Sequence, residues 1–260
     1  MGLSSHCQIS SFKHNIDHIL LRFGNLYAAG AGMESTSLET QTVPTSFELD
    51  GRTEDGNQKH SVYISDSGIL IMIDQKRIQI RDPAKGNIVH TMNQFPVSVC
   101  MDDEYGYAIS GDNSIRKFHL SNGKTVHKWP VPMNAPIHHQ MAVIDRKIYY
   151  CNVNNNEIII FPTTIESAPK QSIMSLGRLE KPTYIADNTK HKEETVIISG
   201  ASGVGKFPIR HGFSDPEWFT DSSCAKGICV DGRGMIYVAR CQPPVIDLLS
   251  QQTGELTQNY

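Results

Sequence analysis

Residues 227–239 read Gly227-Ile228-Cys229-Val230-Asp231-Gly232-Arg233-Gly234-Met235-Ile236-Tyr237-Val238-Ala239. Two short apolar, β-branched runs flank a turn of Asp and Gly, the pattern of a tight hairpin with buried strands. Asp suits the turn because its side chain accepts hydrogen bonds from nearby backbone N–H groups, while Gly232, like Gly68 and Gly106 upstream, is expected to relieve backbone strain. Val245 to Leu249 adds a third strand, and Thr253-Gly254 a further turn.

Upstream, the same pattern recurs. One unit has Val62-Tyr63-Ile64, Asp66-Ser67-Gly68, Ile69 to Met72 and Arg77 to Ile80. The next has Val97 to Met101, Asp102-Asp103, Gly106 to Ile109 and Ser114 to Phe118, and another has Met141 to Ile144, Asp145, Lys147 to Tyr150 and Glu157 to Phe161. A fourth has Tyr184 to Ala186, Asp187, Thr195 to Ile198 and Val204 to Ile209. The turn aspartates Asp66, Asp102, Asp145, Asp187 and Asp231 follow one another at steps of 36, 43, 42 and 44 residues. Repeats of about forty residues with three or four strands predict β-propeller blades. A single such sheet cannot bury both of its faces, so the sheets stack and each covers its neighbour.

The stretch 227–239 resembles an NHL repeat, whose blades read P-x-G-I-x-V-D-x-x-G-x-I-Y-V-A. The array from residue 60 to 258 is similar to the C-terminal propellers of tripartite-motif proteins, particularly the invertebrate kind. That resemblance implies a six-bladed ring that binds proteins, or in some relatives RNA, with no chemistry of its own. Ala225 stands where the repeat has proline. The Cys/His ladders of a RING or B-box and the heptads of a coiled coil are not in this sequence, so ubiquitin-ligase activity does not carry over.

Five repeats are plain, and residues 19–50 offer a degenerate sixth. The expected organisation is a leader over 1–44, with a Ser/Thr-rich linker from Ser35, and a propeller over 45–260. Within the leader, Ile16, Ile19, Leu20 and Phe23 fall at i, i+3, i+4 and i+7, which predicts a short helix.

Composition narrows the function. The net charge of −3 and pI near 6.4 disfavour a broadly basic nucleic-acid binder. No apolar run approaches the ~18 residues of a membrane span, and no signal-peptide core opens the chain. His6 occupies the position where a myristoylation start needs Ser or Thr. Of the cysteines Cys7, Cys100, Cys151, Cys224, Cys229 and Cys241, none forms a C-x-x-C pair. Free thiols in a reducing compartment are expected, hence a cytoplasmic protein.

The motif that competes with this reading is Gly200-Ala201-Ser202-Gly203-Val204-Gly205-Lys206, which has the spacing of a phosphate-cradling P-loop. Phe207 follows where Mg²⁺ requires a hydroxyl, and Pro208 then opens no periodic helix, so the segment is read as a glycine-rich loop between strands. Adjacent His138 and His139 on a strand would point to opposite faces and not share an ion. No metal, cofactor or catalytic residue is assigned, and Asp102-Asp103-Glu104 is read as a solvated turn.

What remains is a polar loop face, formed by the loops after the second and fourth strands of each blade. Candidate partner-binding residues there are Lys76, Arg77, Asp112, Asn113, Asn154, Asn155, Arg240 and Gln242. The expected function is a scaffold module that binds a protein segment. An RNA-binding propeller in post-transcriptional control is the alternative, and a hydrolase or lyase with an axial metal a third.

Overall fold

A computed structural model describes residues 18–22, 25–29, 36–38, 59–64, 70–74, 77–81, 88–93, 96–102, 104–110, 112, 114–131, 140–164, 172–187, 195–209, 212–222, 225–231, 233–241 and 244–259. Among these the elements are all strands, and no helix is long and apolar enough to cross a membrane.

The strands assort into successive antiparallel sheets. The first holds β1 (His18–Arg22), β2 (Asn25–Ala29) and β3 (Thr36–Leu38). The second holds β4 (Lys59–Ile64), β5 (Leu70–Asp74), β6 (Arg77–Arg81) and β7 (Ile88–Asn93). The third holds β8 (Pro96–Met101), β9 (Tyr105–Ser110), β10 (Ser114–His119) and β11 (Thr125–Pro130). The fourth runs β12 (Met141–Ile144), β13 (Lys147–Asn152), β14 (Glu157–Pro162) and β15 (Ser172–Leu176). The fifth contains β16 (Tyr184–Asp187), β17 (Thr195–Ser199), β18 (Gly203–Pro208) and β20 (Trp218–Asp221). Between its last two strands, β19 (Gly212–Ser214) crosses to pair in parallel with the outer edge of β15. The last sheet holds β21 (Ala225–Val230), β22 (Ile236–Cys241), β23 (Pro244–Leu249) and β24 (Leu256–Asn259).

Neighbouring sheets meet through their first strands: β8 lies beside β12, β12 beside β16, β16 beside β21, β21 beside β1 and β1 beside β4, while β5 touches β8. Both faces of a middle strand are therefore covered. Tyr149 and Cys151 of β13 face the fifth sheet, in a cluster with Ile185, Val196 and Phe207. Ile148 and Tyr150 face the third, against Tyr107, Ile115 and Trp129. Alternation by two with apolar side chains on both sides explains why the middle strands read as unbroken apolar runs such as Ile158-Ile159-Ile160-Phe161.

Three turns show how the aspartates work. Asp231 Oδ1 accepts from Arg233 N at 2.9 Å and Met235 N at 2.8 Å. Asp102 Oδ1 accepts from Glu104 N at 3.0 Å and Tyr105 N at 2.7 Å, and its Oδ2 from the Tyr107 hydroxyl at 2.7 Å. Asp145 acts differently, taking a left-handed φ of 46° beside Arg146 at 56° in a two-residue hairpin between paired Ile144 and Lys147.

Two expectations are corrected. The spacing of Ile19 and Leu20 predicts a helix, but His18–Arg22 is a strand paired with β2, Ile19 opposite Ala28 and Leu20 opposite Tyr27. A short apolar run fits either period, and pairing decides it. Gly106 is not a turn residue with a left-handed φ. It lies within β9, and a Cβ there would meet the Phe118 ring at 2.2 Å, so closeness of approach requires glycine. Gly68 and Gly232 fall outside the described residues, as does the boundary expected at 44–45.

Candidate functional site

Among the described residues, a depression lies where the fourth and fifth sheets join. It has a volume of about 390 Å³ and is lined by Val153, Asn154, Asn156, Glu180 and Lys181. One wall is the turn from β13 to β14. Asn155 N donates to Asn152 O at 3.3 Å, Asn156 takes a left-handed φ of 54°, and its carbonyl accepts from Leu176 N at 3.0 Å. Asn tolerates that conformation better than other non-glycine residues.

The other wall is the connection from β15 to β16, clamped from both sides. Lys181 N donates to Asn156 Oδ1 at 2.8 Å, which ties the connection to the fourth sheet. Glu180 N donates to Ser202 Oγ at 2.9 Å, and Glu180 O accepts from Ala201 N at 2.8 Å, which ties it to the fifth. The Ser202 hydroxyl donates in turn to Arg178 O at 3.3 Å.

These contacts account for the glycine-rich loop. A Cβ at Gly200 would lie 2.4 Å from Glu180 O, and one at Gly203 would lie 2.3 Å from Thr220 O. Lys206 does not overhang a phosphate site. It is a buried residue of β18 whose Nζ is 2.9 Å from Glu217 Oε2. Close backbone approach sets these glycines, by the β15–β16 connection at Gly200 and by the paired strand β20 at Gly203.

Five of the eight predicted binding residues are described. Lys76, Asn113 and Gln242 fall outside the described residues, and half-buried Arg77 opens β6 opposite Asn93. Exposed Asp112 is engaged within its own sheet. It accepts from the Ser114 hydroxyl at 2.6 Å, pairs with Arg116, and lies 3.3 Å from Lys128 Nζ. The Ser114 hydrogen bond, followed by those from the two cations, holds its carboxyl below the ordinary value of 3.8. Arg240 is occupied by Asp247, with Nη2 to Oδ1 at 2.9 Å and Nε to Oδ2 at 2.6 Å. Only Asn154 lines the depression, with exposed Asn155 in the same turn.

Sequence reasoning missed Glu180 and Lys181. The signal available was Pro182, which stands two residues before the strand start at Tyr184 and marks the connection. His138, His139 and His211 fall outside the described residues, among which no group of three or more His, Cys, Asp or Glu could hold a metal ion. Cys100, Cys151 and Cys229 are buried and in no disulfide, and burial pushes the first two thiols well above the usual range, which keeps them protonated.

No protein-family model matches the chain, and no curated protein matches it. Solved structures do. A structure of U3-55K superposes with a TM-score of 0.70 at 10% identity, covering 96% of this chain and 83% of that one. A streptogramin B lyase gives 0.69 at 12% identity, covering 98% and 85%. Virginiamycin B lyase from Staphylococcus aureus gives 0.59 at 13% identity, covering 87% and 92%. All three are β-propeller proteins, and likeness at such identity shows the fold alone: this chain has a propeller fold.

Proposed function

We propose that the chain is a non-catalytic interaction module of the cytoplasm, an NHL-like propeller of six sheets that binds a segment of another protein on its polar loop face. Strands β1 to β3 supply the incomplete sixth sheet, because β1 lies beside both β21 and β4. The observation that carries the binding reading is the depression at Asn154, Asn156, Glu180 and Lys181. Its walls are held by hydrogen bonds from two neighbouring sheets, so little conformational entropy is lost when a ligand enters. A carboxylate and an ammonium stand side by side in it. A phosphate backbone would meet Glu180 as well as Lys181, which favours a polypeptide over RNA.

Selection of a phage-displayed library of random peptides on the purified full chain tests this. Enriched peptides should lose about tenfold or more in affinity in Asn154→Arg and keep it in Val126→Asp, a change on the outer strand β11. Peptides that lose affinity only in the outer-strand variant, or an empty selection beside salt-steep binding of single-stranded RNA, would refute it.

A further inference from the structure

Every main-chain hydrogen-bonding group of Glu180 and Lys181 is already used. Glu180 N and O are taken by Ser202 and Ala201, Lys181 N by Asn156, and Lys181 O accepts from the Thr183 hydroxyl at 3.0 Å. A ligand therefore finds no free N–H donor on the main chain of this wall, which blocks the two-way ladder that strand addition needs. The residues that line the depression bring one carboxylate, one ammonium, the carboxamides of two asparagines and the apolar Val153.

Lys181 is also conformationally costly. Its φ is 48°, in the left-handed region, and it precedes Pro182, which restricts its backbone further. The residue is exposed, and among the described residues its ammonium forms no ion pair. Glycine would satisfy the backbone with less strain. The lysine side chain thus repays nothing within the described fold, which is the pattern of a residue kept strained for a ligand. Glu180 is likewise exposed and forms no ion pair among the described residues.

From this arrangement, and resting on the protein-binding reading above, we infer that the depression recognises a polypeptide segment carrying an acidic side chain next to a basic one. The acidic group sits on Lys181 and the Asn156 amide, and the basic group on Glu180. A purely acidic or purely basic segment leaves one like charge unmatched, so mixed sign is what the site selects.

The same random-peptide selection separates the two readings. Peptides enriched on the wild-type chain should carry adjacent opposite charges, and their affinity should fall about tenfold in Lys181→Glu and in Glu180→Lys. Lys181→Gly should also bind about tenfold more weakly while its melting temperature stays equal or rises, a combination that a purely structural lysine would not give. Peptides that depend on Asn154 but carry no mixed charge, or that bind Lys181→Gly as well as wild type, would overturn this inference and leave loop-face binding intact. Peptides indifferent to every loop-face variant would overturn both.

Discussion

Replacing Gly106 by alanine separates two roles a glycine can have. Gly106 of β9 lies directly opposite Phe118 of β10, and an added methyl would sit 2.2 Å from Cζ and 2.4 Å from Cε2 of that ring. Carbon atoms in contact are about 3.5–4.0 Å apart, so the ring must retreat by well over 1 Å. Behind it stand Ile78, Ile80, Met92, Val99 and Leu120, all buried, and the ring itself is 1% exposed. Overpacking of that kind costs about 1–3 kcal/mol, reduced by the ~0.5–1 kcal/mol that alanine gains over glycine within a strand. A net loss of about 2 kcal/mol at the upper end should lower the melting temperature by roughly 4–8 °C for a domain of this size.

The double variant makes the test specific. Phe118→Leu alone removes buried volume and should destabilise by about 1–2 kcal/mol. Combined with Gly106→Ala it opens room for the new methyl, so the pair should cost less than the sum by about 1 kcal/mol. Urea denaturation of the four proteins gives the coupling. A neutral or stabilising Gly106→Ala, or strictly additive effects, would refute the contact as the reason for glycine.

Other consequences can be checked in the same way. Ile236 is fully buried between the fifth and last sheets, and Ile236→Ala should cost about 2–5 kcal/mol in denaturant; a cost under ~0.5 kcal/mol would remove that strand from the core. Asp231→Ala strands the turn's two N–H groups and should cost about 1–3 kcal/mol, with Asp231→Asn recovering part of it. Glu217→Gln weakens the ion pair with buried Lys206 and should destabilise more than the same change at exposed Glu255, measured by thermal melts side by side. Because the folded Asp112 carboxyl is held below its ordinary 3.8, it stabilises the protein above that pH, and the contribution disappears as pH falls through the folded value. Wild type should therefore lose melting temperature faster than Asp112→Asn on acidification below about pH 4, by a small margin because the side chain is 42% exposed.

The middle strands were legible because their physics is local. A strand covered on both faces must be apolar along its covered length, and Ile148 to Cys151 or Ile158 to Phe161 announce themselves as such. The outer strands were not. Thr125–Pro130 exposes all but His127 and Trp129, and carries neither alternation nor an unbroken apolar run. The parallel pairing of Gly212–Ser214 with Met174 to Leu176 has no local signature at all, since it joins segments about forty residues apart.

The candidate site illustrates the same division more sharply. Its asparagine wall could be anticipated, because a run of Asn between two apolar strands is a turn with side chains to spare. Its charged wall could not, because Glu180 and Lys181 become a recognition surface only once Asn156 and Ser202 hold their backbone from opposite sides. Arg240 and Asp112 show the converse: sequence offers them as available charges, and the neighbouring strand takes each one up. On a sheet surface a charge two residues along the adjacent strand is the nearest competitor for any partner, as Asp247 is for Arg240. Glu180 and Lys181, in the connection from β15 to β16, form no ion pair among the described residues, although Arg178 of the same connection pairs with Asp221. The proposed binding site is thus one whose backbone is held while its charged side chains stay exposed: Glu180 and Lys181, which the repeat pattern did not offer, beside Asn154, which it did.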